Sequence, residues 1–217
     1  MYAGGRKGVP IDSRNRGRMG LFSEIKINWS PFSICAPGEK APYPRSLSTP
    51  EGLGDRLRFV AFAEKQATHA FETAADVFSE VSPGVKKIWR KLAAEEQKHL
   101  QWLLWRIEEI GLKIDERPVS LALWNSFDHC ADATKFAVFM ANAEERGRIA
   151  GEQFYETLLS IDPITARVFQ QIALEEQEHI RLAKTVTEMN FKVPEDFDTR
   201  VAGLPLENYA ELTRSNP

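Results

Sequence analysis

Cysteine is scarce: two residues in a chain of 217, Cys35 and Cys130, far apart and outside any Cys-x-x-Cys pattern. That excludes a disulfide scaffold and a zinc ribbon, and it makes a reducing cytoplasm the expected compartment. Long apolar runs are missing as well. None approaches the ~18 residues of a membrane-spanning helix. The amino-terminal stretch MYAGGRKGVPIDSRNRGRMG carries charge where a secretory signal needs an apolar centre. No membrane association is expected. An excess of one charge is also lacking, since 28 Lys/Arg against 31 Asp/Glu leave a net charge of −3. That balance favours neither a nucleic-acid binder nor a membrane-surface protein. Strand-like alternation is not found in any segment, so a sheet protein is excluded.

What is present is ordinary globular composition, 43% hydrophobic and 27% charged, enough for one domain with a sizeable core. Residues 1–50 are rich in Gly, Pro, Arg and Ser and lack sustained periodicity; they read as an extended or partly disordered arm. The first twenty residues hold Arg6, Lys7, Arg14, Arg16 and Arg18 against Asp12, and a solvated tail accounts for them better than an RNA contact. From Thr49-Pro50-Glu51 the pattern becomes helical. Phe59, Ala63, Ala67, Ala70, Ala74 and Phe78 make one face of a first helix, closed by Ser82-Pro83-Gly84. A second helix runs to Gly111, striped by Val85, Ile88, Leu92, Leu103, Ile107 and Ile110. After a link with a short helix over Leu121–Phe127, a third runs from about Ala131 to Ile161, striped by Phe136, Phe139, Ala143, Gly147, Ala150, Phe154 and Leu158. Asp162-Pro163 breaks it, and a fourth reaches about Asn190. Each is about 40 Å long at ~1.5 Å per residue. The expected fold is all-α: a four-helix bundle over residues 51–192, with one long crossover between the second and third helices and a C-terminal tail at 193–217.

Shifted by eighty positions, the chain aligns with itself. Ala63-Glu64 falls on Ala143-Glu144, Pro83 on Pro163, and Ile88-Trp89 on Val168-Phe169. Glu95-Glu96-Gln97 and His99 fall on Glu175-Glu176-Gln177 and His179. Two like hairpins with pseudo-twofold symmetry would bring Glu64, Glu96, His99, Glu144, Glu176 and His179 together. Leu92, Glu96, His99 and Leu103 share one stripe, and Ile172, Glu176, His179 and Ala183 share another, so both Glu-x-x-His pairs sit in core positions. A helical wheel places Glu144 about 80° from the centre of its stripe and Glu145 about 180° away. The same construction turns Glu64 inward and Glu72 outward. Uncompensated carboxylates in a core cost several kcal/mol, so this arrangement calls for cations. Four carboxylates and two neutral imidazoles balance two divalent ions, and oxygen-rich ligation with one imidazole each favours iron, or manganese, over zinc.

The constellation Glu64, Glu96-x-x-His99, Glu144, Glu176-x-x-His179 resembles the di-iron site of the ferritin-like superfamily over about residues 51–190. "EKQA" at the first helix, "EERG" at the third and the Pro-rich lead-in "APGEKAPYPRSLSTPEG" resemble a ferritin-like domain-of-unknown-function family. "EEQKHLQWLLWRIEEIG" also resembles tRNA-modifying di-iron hydroxylases, which makes tRNA a candidate partner that nothing else supports. These resemblances imply two iron ions, manganese or a mixed pair being the alternative, that activate dioxygen or peroxide to oxidise a small organic substrate. The competing reading is a peroxide reductase or iron-handling protein similar to rubrerythrin or ferritin, and a third is a non-enzymatic, metal-stabilised helical module. Rubrerythrins often carry a Cys-x-x-Cys iron domain; this chain has no such motif, so the expected electron donor is a separate protein.

Other residues draw blander readings. Glu95 and Glu175 are read as solvated neighbours of the ligand glutamates, and His69 and His129 as polar contacts. Arg148 is a salt-bridge residue that could face the site, and Tyr155 a core tyrosine that could serve redox chemistry. The small residues Ala67, Ala70, Gly147, Ala150 and Gly151 mark either a substrate channel or close helix packing.

Overall fold

The computed structural model describes residues 21–22, 24–200 and 203–214. Four long helices account for most of them: α1 (Pro50–Val77), α2 (Pro83–Glu109), α4 (Ala133–Leu158) and α5 (Pro163–Glu188), with the short α3 (Ala122–Ser126) in the crossover and α6 (Tyr209–Thr213) near the end. Each long helix starts where a side chain can take up an orphan backbone N–H. Thr49 accepts from Gly52, Ser82 from Val85, Asp132 from Lys135 and Asp162 from Thr165. Proline holds the first position of α1, α2 and α5, where its missing donor costs nothing. The Asp132 cap starts α4 two residues later than periodicity suggests.

Helix α1 packs along α2 and α4 along α5, and the two hairpins meet chiefly through α2 and α5. The chain is therefore the expected all-helical bundle of two hairpins joined by a crossover. Two apolar clusters fill it. One gathers Phe71, Phe78, Trp89, Phe127 and Phe136; the other gathers Leu57, Phe62, Trp102, Leu103 and Phe169. The paired acids and histidines occupy buried positions on the same helices.

Two expectations need correction. Phe59, placed on the inward stripe of α1, is 62% exposed, because the face that this half of α1 buries is that of Leu57, Ala61 and Phe62. The central residues of the α4 stripe, Ala143, Gly147 and Ala150, are likewise half-buried or exposed. The second correction concerns the arm. The described residues of this segment before α1 form no helix, and although most of them are exposed the segment is anchored to the bundle by aromatic side chains. Phe22 is fully buried among Phe78, Trp124, Phe127 and Phe136, stacking on Phe136 at 5.8 Å. Phe32 lies 4.9 Å from Phe62, and Ile34 bridges to Val119 in the crossover. Gly and Pro content masked a few well-spaced aromatic anchors. The basic stretch of the first twenty residues lies outside the described residues.

Candidate metal centre

Glu64 comes from α1, Glu96 and His99 from α2, Glu144 from α4, and Glu176 and His179 from α5. All six are buried, from 0% exposure at Glu96, His99 and His179 to 8% at Glu64. They form two overlapping groups whose candidate donor atoms lie within 4.8 Å of one another: Glu64, Glu96, His99 and Glu176, and Glu96, Glu144, Glu176 and His179. Glu96 and Glu176 belong to both. The i,i+3 spacing puts each histidine one turn beyond its glutamate on the same face, and the symmetry of the hairpins turns the faces toward each other. Both imidazoles direct Nδ1 at the acids. His179 Nδ1 lies 2.8 Å from Glu96 and 3.1 Å from Glu176, and His99 Nδ1 lies 3.4 Å from Glu176. The rings face each other 5.5 Å apart.

The electrostatics are those of a crowded anionic centre. Burial, reinforced by the charge of Glu96, holds the Glu64 carboxyl well above the usual carboxylate range; burial and Glu176 do the same to Glu144. Burial with Glu144 and Glu176 also raises Glu96. Burial alone would lower both histidines, but the surrounding acids outweigh it, bringing His99 to about 10 and His179 well above its ordinary value. The protein alone thus leaves the excess of acids to be offset by retained protons. Both oxygens of Glu96, Oε2 of Glu176, Nδ1 of His99 and both ring nitrogens of His179 are buried without a hydrogen-bond partner among the described residues. The short approaches between these atoms lack hydrogen-bond geometry. Buried polar atoms left unsatisfied are rare and costly. Five of them, all but the outer Nε2 of His179, face one another, and all are of donor types that iron and manganese accept, which fits a pair of divalent cations.

Glu175 departs from expectation. It is 1% exposed, not solvated. It accepts from His99 Nε2 at 2.9 Å, from Lys98 at 2.6 Å, from Gln171 at 2.8 Å and from the backbone N–H of Leu204 at 2.8 Å. Burial works against its ionisation, yet these donors hold its pKa down at about 2. A carboxylate on the outer nitrogen of a ligating imidazole fixes the ring and its tautomer. Glu95 is also buried, at 7%, but it is paired with Lys91 and with Lys98, the latter at 2.5 Å. The repeat is therefore broken around the histidines. A signal was present in the sequence: Lys91 and Lys98 fall on Gln171 and Glu178, so only the first half supplies two cations to its outer glutamate.

The remaining residues fall into place. Glu145 and Glu72 point outward, as the wheel requires. Arg148 forms ion pairs with Glu145 at 2.8 Å and Glu152 at 2.6 Å on the outer side of α4. His69 bonds Glu72 at 3.2 Å, away from the centre, and His129 is exposed at the end of the crossover turn. Tyr155 is half-buried against the second apolar cluster. The small residues serve different ends: Gly151 allows α5 close, a Cβ there lying 3.1 Å from that of Ala173, whereas a Cβ on Gly147 would meet nothing within 4 Å.

Among the described residues, no helix is long and apolar enough to cross a membrane. No solved structure matches the chain. The family described as Rubrerythrin matches residues 55–187, well over half of the 217 residues and a span within which the six candidate donors lie. The helical hairpins and their buried carboxylate–histidine cluster accord with that match, and the chain belongs to the rubrerythrin family of the ferritin-like superfamily.

Proposed function

We propose that Glu64, Glu96, His99, Glu144, Glu176 and His179 hold two iron ions, for which manganese could substitute, and that the loaded protein reduces hydrogen peroxide with electrons from a separate donor protein. The observation that carries this reading is the convergence of orphaned donor atoms in a sealed, anionic core. Glu96 and Glu176 belong to both donor groups, so they are the bridging candidates; Glu64 and His99 complete one end, Glu144 and His179 the other. When bound, such ions supply two reducing equivalents and Lewis-acid positions for an oxidant's oxygen. The balance is that peroxide, two electrons and two protons give two waters. The protein's part is to fix the donors, to neutralise the ions with four carboxylates and to exclude bulk water. With every donor residue at most 8% exposed, a small oxidant is the reactant best matched to the site.

A second reading, oxidation of a small organic substrate by dioxygen, draws on the open space at Gly147, three residues from Glu144. One set of measurements separates them. Protein loaded with iron is expected to contain about two ions per chain by this charge balance, and, once reduced, to consume peroxide rapidly without an organic substrate. Glu96→Ala and His179→Ala are expected to lower metal content. Iron-loaded protein that is inert to peroxide yet consumes dioxygen only with an organic substrate would replace the first reading with the second. Full metal content with no redox response would leave a metal-stabilised helical module. A failure to retain stoichiometric metal would sink all three.

A further inference from the structure

The C-terminal segment crosses the outside of α2 and α5 directly behind His99. Leu204 donates its backbone N–H to Glu175, the same carboxylate that accepts from His99 Nε2. Gly203 lies so close that a Cβ there would sit 2.8 Å from the Glu175 carboxyl carbon and 2.9 Å from Oε2. A side chain in this place would require the carboxylate to shift. The segment is tethered further along: Trp102 donates its indole N–H to the Leu206 carbonyl at 3.1 Å, while its ring lies 5.8 Å from that of His99. Tyr209 then anchors the end, donating to Glu109 at 2.9 Å. No such chain backs His179. Its Nε2 is buried and meets no partner among the described residues, and Glu95, the repeat counterpart of Glu175, is engaged by Lys91 and Lys98.

We infer that Gly203–Leu206 is a strap that positions Glu175, and through it His99, so that the two metal positions differ in affinity and the His99 position is the tighter. The inference rests on the metal-binding reading above. Glu175, Gly203 and Leu204 are positioning residues: they contact no candidate donor group of the pair except through the outer nitrogen of His99. An outer carboxylate of this kind changes metal affinity by roughly 10- to 100-fold. The strap adds the requirement that this carboxylate be held from behind. Gly203→Val tests that directly, because the group it displaces is the mobile end of Glu175 rather than backbone.

The experiment is anaerobic titration of the metal-free full-length protein with cobalt(II), followed by visible absorption and calorimetry. The native chain is expected to bind in two resolvable steps. Gly203→Val and Glu175→Gln should each weaken the first step by roughly 10-fold or more, alter its absorption bands and leave the second step unchanged. Trp102→Phe, which removes the tether to Leu206 without touching Gly203 or Glu175, should weaken the first step in the same direction. Circular dichroism is recorded in parallel, and the loss must appear in variants that keep native helicity and unfolding temperature. Two-step binding by the native chain with unaltered first-step affinity in Gly203→Val and Glu175→Gln would overturn the inference and leave the metal site standing. Weakening by Glu175→Gln alone would overturn the strap. No cobalt bound by the native chain would remove the metal-binding reading and this inference with it.

Discussion

Glu96 shows most clearly what the centre trades away. It is fully buried, both its oxygens are unsatisfied, and Glu144 and Glu176 press on its charge. A buried polar group left unsatisfied costs about 1–3 kcal/mol, which an apolar side chain of similar volume would not incur. Metal-free Glu96→Leu is therefore expected to be more stable than the native metal-free chain in a denaturant titration, while losing the donor common to both groups. Equal or lower stability would mean that the acid already has a partner. Glu144 was separable from Glu145 by one step on a helical wheel, because helix geometry fixes which of two neighbours faces inward. The role of Glu175 was not separable in this way. Its position beside Glu176 points it sideways, and only the approach of α2 and of the C-terminal segment turns that side into an interior.

Helices supplied by local chemistry and segments held by distant contacts behave differently. The caps Thr49, Ser82, Asp132 and Asp162 and the prolines at 50, 83 and 163 are written in consecutive residues, so the four long elements were legible. The anchored lead-in was not. Its anchors Phe22, Trp29 and Phe32 follow no helical period, and their partners lie on α1, α3, α4 and the crossover. It is pinned electrostatically at Asp55, which binds the Arg45 side chain and backbone, Arg58 and Arg117. Burial alone would raise Asp55, but hydrogen bonds from Arg45, followed by those from Arg117, hold it well below the usual carboxylate range. A carboxyl with a depressed folded-state pKa contributes stability above its unfolded value of 3.8, and that contribution is lost as pH falls further toward the folded value. Stability is expected to drop below about pH 4 through this group. Asp55→Asn should flatten that part of the stability–pH curve while lowering stability near neutrality; an unchanged acid slope would refute the assignment.

For the molecule as a whole, the proposed metal binding would be coupled to folding, since the candidate donors converge only when both hairpins are docked. Ions that bind the native state alone stabilise it by about 2.7 kcal/mol per site at a free concentration a hundred times Kd. Removing metal with a chelator should lower the unfolding temperature, and restoring it should recover the loss. An unfolding temperature indifferent to metal would show that the hairpins dock independently of the centre. By itself the sequence determined the helices, the duplicated hairpin and the six candidate donors, because periodicity, caps and an eighty-residue repeat are properties of order along the chain. Tertiary structure alone decided which symmetric features survive. Glu95 and Glu175 are equivalent in the repeat and share Lys98, but Lys91 completes the pairing of one, while His99, Gln171 and the strap at Gly203–Leu204 claim the other. The reason is geometric: a donor's neighbours in space come from segments whose distance along the chain carries no periodic signal, and only packing brings them to the same carboxylate.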